Sequence, residues 1–191
     1  MITTTNNLGL NRMRKMKMKN RLYIGASVLI AFVFCSVSAV AQQVPDAIIN
    51  NDGIGFSRMI DGELVAFDLV AAYDEHAIVV ADCAQFKAKV QGVDWCFASA
   101  SNKTTFEAAT QDNGNNQYLP FVGGHCALGM SFGNLTARGD PRTAVRIGNQ
   151  LVLNGRFDVR TSFLQDTERN MDNARLRYEL AIASGDLKVN D

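Results

Sequence analysis

Apolar and polar residues alternate with period two from Phe86 to Val90 and again from Val93 to Phe97, on either side of Gln91-Gly92. That pattern predicts a β-hairpin with a two-residue turn, although Gln is an unusual first turn residue. In this register Phe86, Ala88, Val90, Val93, Trp95 and Phe97 share the core face. Lys87, Lys89, Asp94 and Cys96 share the other, with Lys89 opposite Asp94 and Lys87 opposite Cys96. A second alternation, Thr143 to Ile147 and Gln150 to Asn154 around Gly148-Asn149, predicts a second hairpin. From Asp158 to about Ala183 the period lengthens. Phe163, Thr167, Met171, Ala174, Tyr178 and Ala181 recur at three- and four-residue steps, as one long amphipathic helix requires.

Weaker signals fill the gaps. Residues 42–62 are polar and read as an extended lead-in, and Asp61-Gly62 marks a turn. Glu63 to Tyr73 reads as a strand running into a bend. Ser99 or Ser101 can cap a helix carrying Phe106 and Ala109 inward, which the Asn-rich stretch 111–117 ends. Strands in adjacent pairs with two or three helices make an α+β domain over residues 63–185, with 186–191 as a tail.

Composition changes this picture at one end. The 191 residues carry equal numbers of cations and acids, but residues 1–41 hold six cations and no acid. The remainder has 13 Lys+Arg against 19 Asp+Glu, a net charge of −6, which argues against a nucleic-acid partner. A basic start, the apolar run 23–34 and Ala39-Val40-Ala41 read as a signal peptide with cleavage before Gln42. An uncleaved N-terminal anchor over residues 22–41 is the other reading, and it would be the only contact with a membrane. Either way the domain is expected in a periplasmic or secreted location.

Export makes the cysteines informative. Cys83, Cys96 and Cys126 follow the signal, an odd number in an oxidising compartment. If the first strand continues back through Cys83, its α-carbon lies about 13 Å from that of Cys96, beyond the roughly 7 Å that a disulfide tolerates. A Cys83–Cys96 bond is therefore disfavoured unless the chain bends back before Phe86. Cys126 can pair with either.

The segment Phe121 to Gly133 holds four glycines and the adjacent pair His125-Cys126. Such glycine density marks turns or close backbone approaches, and imidazole with thiol offers two transition-metal ligands. No Cys-x-x-Cys, nucleotide-binding loop or nucleophile elbow is present. Neighbouring His and Cys seldom align as base and nucleophile, so a binding role is expected rather than an enzymatic one.

These residues belong to a wider pattern. Asp68-x-Val70-Ala71, Trp95-x-Phe97-x-Ser99 with Asn102 and Phe106, Tyr118-x-Pro120, Gly123-Gly124-x-Cys126-Ala127, Asp140-Pro141 and Leu151-x-Leu153-Asn154 occur in order. Together they resemble the YHS-domain family in its small exported bacterial form. The chain departs from that family in having His125 where an aromatic is common, Leu69 where Pro is common, and no Tyr-His-Ser triplet. The resemblance implies a small α+β domain, and related YHS modules are thought to handle metal ions. It brings Asp68 into the candidate set, giving an open copper or zinc site on Cys126, His125 and Asp68. Two alternatives stay open: a structural or interaction module with Cys126 buried or disulfide-bonded, and a thiol redox role.

Overall fold

A computed structural model describes residues 43–110 and 116–189. The signal or anchor segment and most of the Asn-rich stretch lie outside the described residues. The described part is α+β, and no helix in it is long and apolar enough to cross a membrane.

The first alternation forms β5 (Lys87–Val90) and β6 (Val93–Cys96) in the expected register, Lys87 opposite Cys96 and Lys89 opposite Asp94. Lys87 ion-pairs diagonally with Asp94 at 2.9 Å. The second gives β7 (Asp140–Ile147) and β8 (Gln150–Asn154), antiparallel and separate from the first. β3 (Ser57–Ile60) and β4 (Glu63–Ala66) form a third hairpin across Asp61-Gly62.

Three expectations are corrected. The described part of the expected lead-in, residues 43–62, is built into the fold rather than leading into it. β1 (Asn50–Asn51) pairs with β2 (Ile54–Gly55), and β2 lies parallel to β6, completing a four-stranded sheet in the order β1-β2-β6-β5. Strands of two residues leave no alternation to read, and they are held through backbone pairing.

The long helix is two helices, α3 (Phe157–Leu164) and α4 (Thr167–Ser184), broken at Gln165-Asp166. Asp166 leaves helical geometry, and the Asn170 side chain donates to the Phe163 carbonyl exposed by the break, at 2.9 Å. The apolar stripe survives: Phe163, Met171, Ala174 and Ala181 are buried. Beyond α4 the tail is anchored, since Leu187 is buried, Ala47 N–H donates to the Lys188 carbonyl and Lys188 N–H donates to that of Pro45.

The third correction is the disulfide. Cys83 and Cys96 are bonded, with α-carbons 4.9 Å apart. The strand does not continue through Cys83, because the Asp82 side chain accepts from Ala84 N–H at 3.0 Å and Gln85 N–H at 3.2 Å. This turn folds residues 82–85 back, and Asp82 N–H donates to the Phe97 carbonyl at 2.9 Å. A loop of this length is worth about 3 kcal/mol through restriction of the unfolded chain. Urea unfolding with and without a thiol reductant is expected to show that loss in the native sequence and none in a Cys83→Ala/Cys96→Ala variant.

The core has two parts. Leu69, Tyr73, Trp95, Phe97 and Phe106 pack in one, around the four-stranded sheet and α1 (Ala100–Thr110). Phe121, Met130, Phe163 and Ala174 pack in the other, where α2 (Ala127–Ser131) lies against α4.

Candidate functional site

The glycine segment enters from Pro120, which pairs with Leu151 of β8. It then makes a tight turn, Phe121–Gly124. Val122 in that turn has φ 45° and ψ 44°, a left-handed conformation rare for a β-branched residue. The chain next runs between two other backbones. On one side Ile49 N–H donates to the Gly123 carbonyl at 2.8 Å. On the other, Gly139 N–H donates to the Gly124 carbonyl at 3.0 Å and Cys126 N–H to that of Ala137 at 2.8 Å. A β-carbon on Gly123 would lie 1.9 Å from the Ala47 carbonyl oxygen, and one on Gly139 would lie 2.5 Å from that of Gly124. Close backbone approach accounts for these two glycines.

His125 is fully buried. Its ring meets Tyr178 edge-on at 6.1 Å, and Nε2 donates to the Asp46 carbonyl at 3.1 Å. A carbonyl can only accept, so the proton sits on Nε2, and Nδ1 has no hydrogen-bond partner among the described residues. Burial pushes this histidine below the usual imidazole range, Arg138 adds to that, and the Asp46 and Ala47 carbonyls oppose it. The unfolded chain therefore takes up a proton near pH 6.5 that the folded chain resists. Stability contributed by neutral His125 is complete above about pH 6.5 and declines below it, by at most about 1.4 kcal/mol per pH unit. Urea midpoints between pH 7.5 and 5.5 are expected to fall in the native sequence and to stay flatter in His125→Phe. Equal slopes would refute this account.

Cys126 is a free, buried thiol at the N-terminus of α2. Its Sγ accepts from Gly129 N–H at 3.4 Å and donates to Asn154 Oδ1 at 3.9 Å. The same Asn154 oxygen accepts from Leu128 N–H at 3.1 Å. The thiol thus caps a helix turn and ties it to β8.

Asp68 is fully buried in other company. Oδ1 accepts from Val70 N–H at 2.9 Å and Ala71 N–H at 3.0 Å, and Oδ2 from Ala98 N–H and Asn102 Nδ2, both at 2.7 Å. All four donors are protein groups. The carboxylate joins the turn after β4 to the start of α1. Among the described residues no group of three or more His, Cys, Asp or Glu side chains gathers to hold a metal ion. His125 and Cys126 are neighbours in the chain, but among the described residues Asp68 shares no hydrogen-bond partner with either.

A cleft of about 580 Å³ opens beside the Phe121–Gly124 turn. Ile48, Leu119, Pro120 and Val122 supply apolar lining, and Trp95 and Phe121 line it as largely buried rings. Its polar lining is a set of carboxamides, Gln91, Asn116, Gln117, Asn149 and Gln150, together with Tyr178. Gln91 comes from the turn of the β5–β6 hairpin and Asn149 from that of β7–β8, so two hairpin tips meet one cleft. Gln91 has φ 51°, and with Val122 it makes two non-glycine residues of the lining that hold a left-handed conformation. Sequence reasoning did not select this place. The signal available was Gln91 itself, an ill-suited residue at the first position of its turn.

No family model, no curated protein and no solved structure matches the chain. The likeness to the YHS family rests on the residue pattern alone.

Proposed function

We propose that this chain is an exported, non-enzymatic binding module of YHS type whose ligand occupies the cleft beside Phe121–Gly124. The observation that carries the reading is the pairing of strain with concavity. Gln91 and Val122 both hold conformations that cost free energy, and both line the same cleft, of a size that suits a small molecule. Cys126 and Asp68 serve as architecture in this reading. Positions that carry the YHS likeness are bonded to one another, Asp68 to Asn102 and Cys126 to Asn154, which supports a fold-defining role for the pattern. The Cys83–Cys96 bond is compatible with an oxidising compartment.

Copper or zinc on Cys126 and His125 is less well supported, because both side chains are buried and Asp68 is committed elsewhere. One experiment separates the readings. The full chain, expressed in an exporting host, would be screened by two-dimensional NMR against a broad set of small molecules, with Cu and Zn alongside. Shifts clustered on Gln91, Val122 and Gln150 support the cleft. Stoichiometric metal lost in Cys126→Ser, with an unresponsive cleft, would replace it by the metal reading.

A further inference from the structure

We infer that the cleft takes an uncharged, hydroxyl-rich ligand, a neutral saccharide. The inference rests on the reading of the cleft as the binding place and adds the chemistry of what fills it. Among the described residues no Lys, Arg, His, Asp or Glu lines the cleft, although the chain is one-fifth charged. Among the described residues Tyr178 is its one titratable group, and burial pushes that phenol up to about 12, so this lining stays neutral. A charged ligand would surrender its hydration there and meet no counter-charge. The same argument excludes free amino acids and short peptides, whose termini are ionised.

What the lining offers is carboxamide. Each such group donates through its nitrogen and accepts through its oxygen, which matches hydroxyls that do both at one atom. Asn116 is held within the wall by the protein itself, its nitrogen donating to the Phe106 carbonyl and its oxygen accepting from Tyr118 N–H. The side chains of Gln91 and Asn149, at the two hairpin tips, make no hydrogen bond among the described residues. The apolar lining from Ile48, Leu119 and Pro120 suits the C–H faces of a sugar ring. Tyr178, also in the lining, donates its proton to the Ala47 carbonyl at 3.0 Å, which leaves its oxygen with capacity to accept.

The test is calorimetric titration of the full chain with neutral gluco-, manno- and N-acetylglucosamine oligosaccharides. Uronic-acid oligomers and free amino acids serve as charged probes. Trp95, the single tryptophan and part of the lining, reports occupancy by fluorescence. A neutral oligosaccharide is expected to bind, with its uronate counterpart at least tenfold weaker. Gln91→Gly is the informative variant, because glycine relieves the left-handed turn while removing the carboxamide. It is expected to raise the unfolding midpoint and yet weaken binding by about tenfold, a split that a merely structural glutamine would not produce. Asn149→Ala should weaken binding with the fold unchanged. Uronates or amino acids binding the cleft, with no neutral saccharide doing so, would overturn the ligand class and leave the cleft as the binding place. No compound of any class shifting the cleft would overturn both.

Discussion

Replacing Gly123 by Ala is expected to remove about 4 kcal/mol of stability, enough to leave a domain of ordinary stability largely unfolded in mild denaturant. Two separate costs add. Gly123 has φ 63°, and an L-residue pays about 1–2 kcal/mol to sit in that left-handed region. The new β-carbon would also stand 1.9 Å from the Ala47 carbonyl oxygen and 2.8 Å from the Tyr178 hydroxyl. The clash is with backbone, which cannot rotate away. The 46–49 segment would have to withdraw, weakening the bond from Ile49 N–H to the Gly123 carbonyl and that from Tyr178 to Ala47. Gly124 supplies the control. It too is left-handed, at φ 81°, but its β-carbon would meet nothing nearer than 3.7 Å, so Gly124→Ala is expected to cost only the conformational part. Urea unfolding of the two variants measures the difference directly. Equal losses would mean that close approach to Ala47 does not matter.

Asp68→Asn ranks beside it, at about 3–4 kcal/mol. The substitution keeps size and shape and changes one oxygen to an NH2. That group would be set against two donors, Ala98 N–H and the Asn102 amide, or against Val70 and Ala71 N–H if the amide flips. In either orientation two buried donors lose their acceptor and face a third. The turn after β4 and the start of α1 would loosen together, so hydrogen exchange at Val70, Ala71 and Ala98 should accelerate as stability falls. A ligand role predicts the opposite pattern, with unchanged stability and altered metal content. Unfolding curves and metal analysis of the one variant therefore decide what this carboxylate is for.

The contrast between these residues shows what the sequence made legible. Alternation about Gln91-Gly92 and Gly148-Asn149 is a local signal, and it located both hairpins and the register of the first. The stripe on residues 163–181 is local as well, and it identified the buried face. It could not reveal the break at Asp166, because three- and four-residue spacing continues across it. The Cys83–Cys96 bond is disfavoured only if the strand continues back through Cys83, and the chain instead takes the other course, bending before Phe86. Asp82 stops the strand with its own side chain, a contact that composition does not display. His125 and Cys126 stand out by residue type and Asp68 by the family resemblance, and neither signal reveals commitment. The acceptors, donors and neighbours that occupy each of them come from distant parts of the chain. The cleft was the least legible, since it is assembled from two turn tips and a strained turn that no periodicity connects.

One feature of the folded protein bears on how it is made. Cys126 is sealed in the native state, so its thiol cannot attack the finished Cys83–Cys96 bond. In the unfolded chain that protection is absent, and Cys83, Cys96 and Cys126 permit three different single crosslinks among themselves, two of them wrong. The native pair is the closest in sequence, 13 residues apart, which favours it by shorter loop closure. A crosslink to Cys126 would fasten the glycine segment to the first core before β7 and β8 exist to receive it. Wherever the bond forms, correct pairing is thus a race between early closure of the short loop and capture by the Cys126 thiol. The order in which the chain emerges helps the correct outcome, because both native partners precede Cys126.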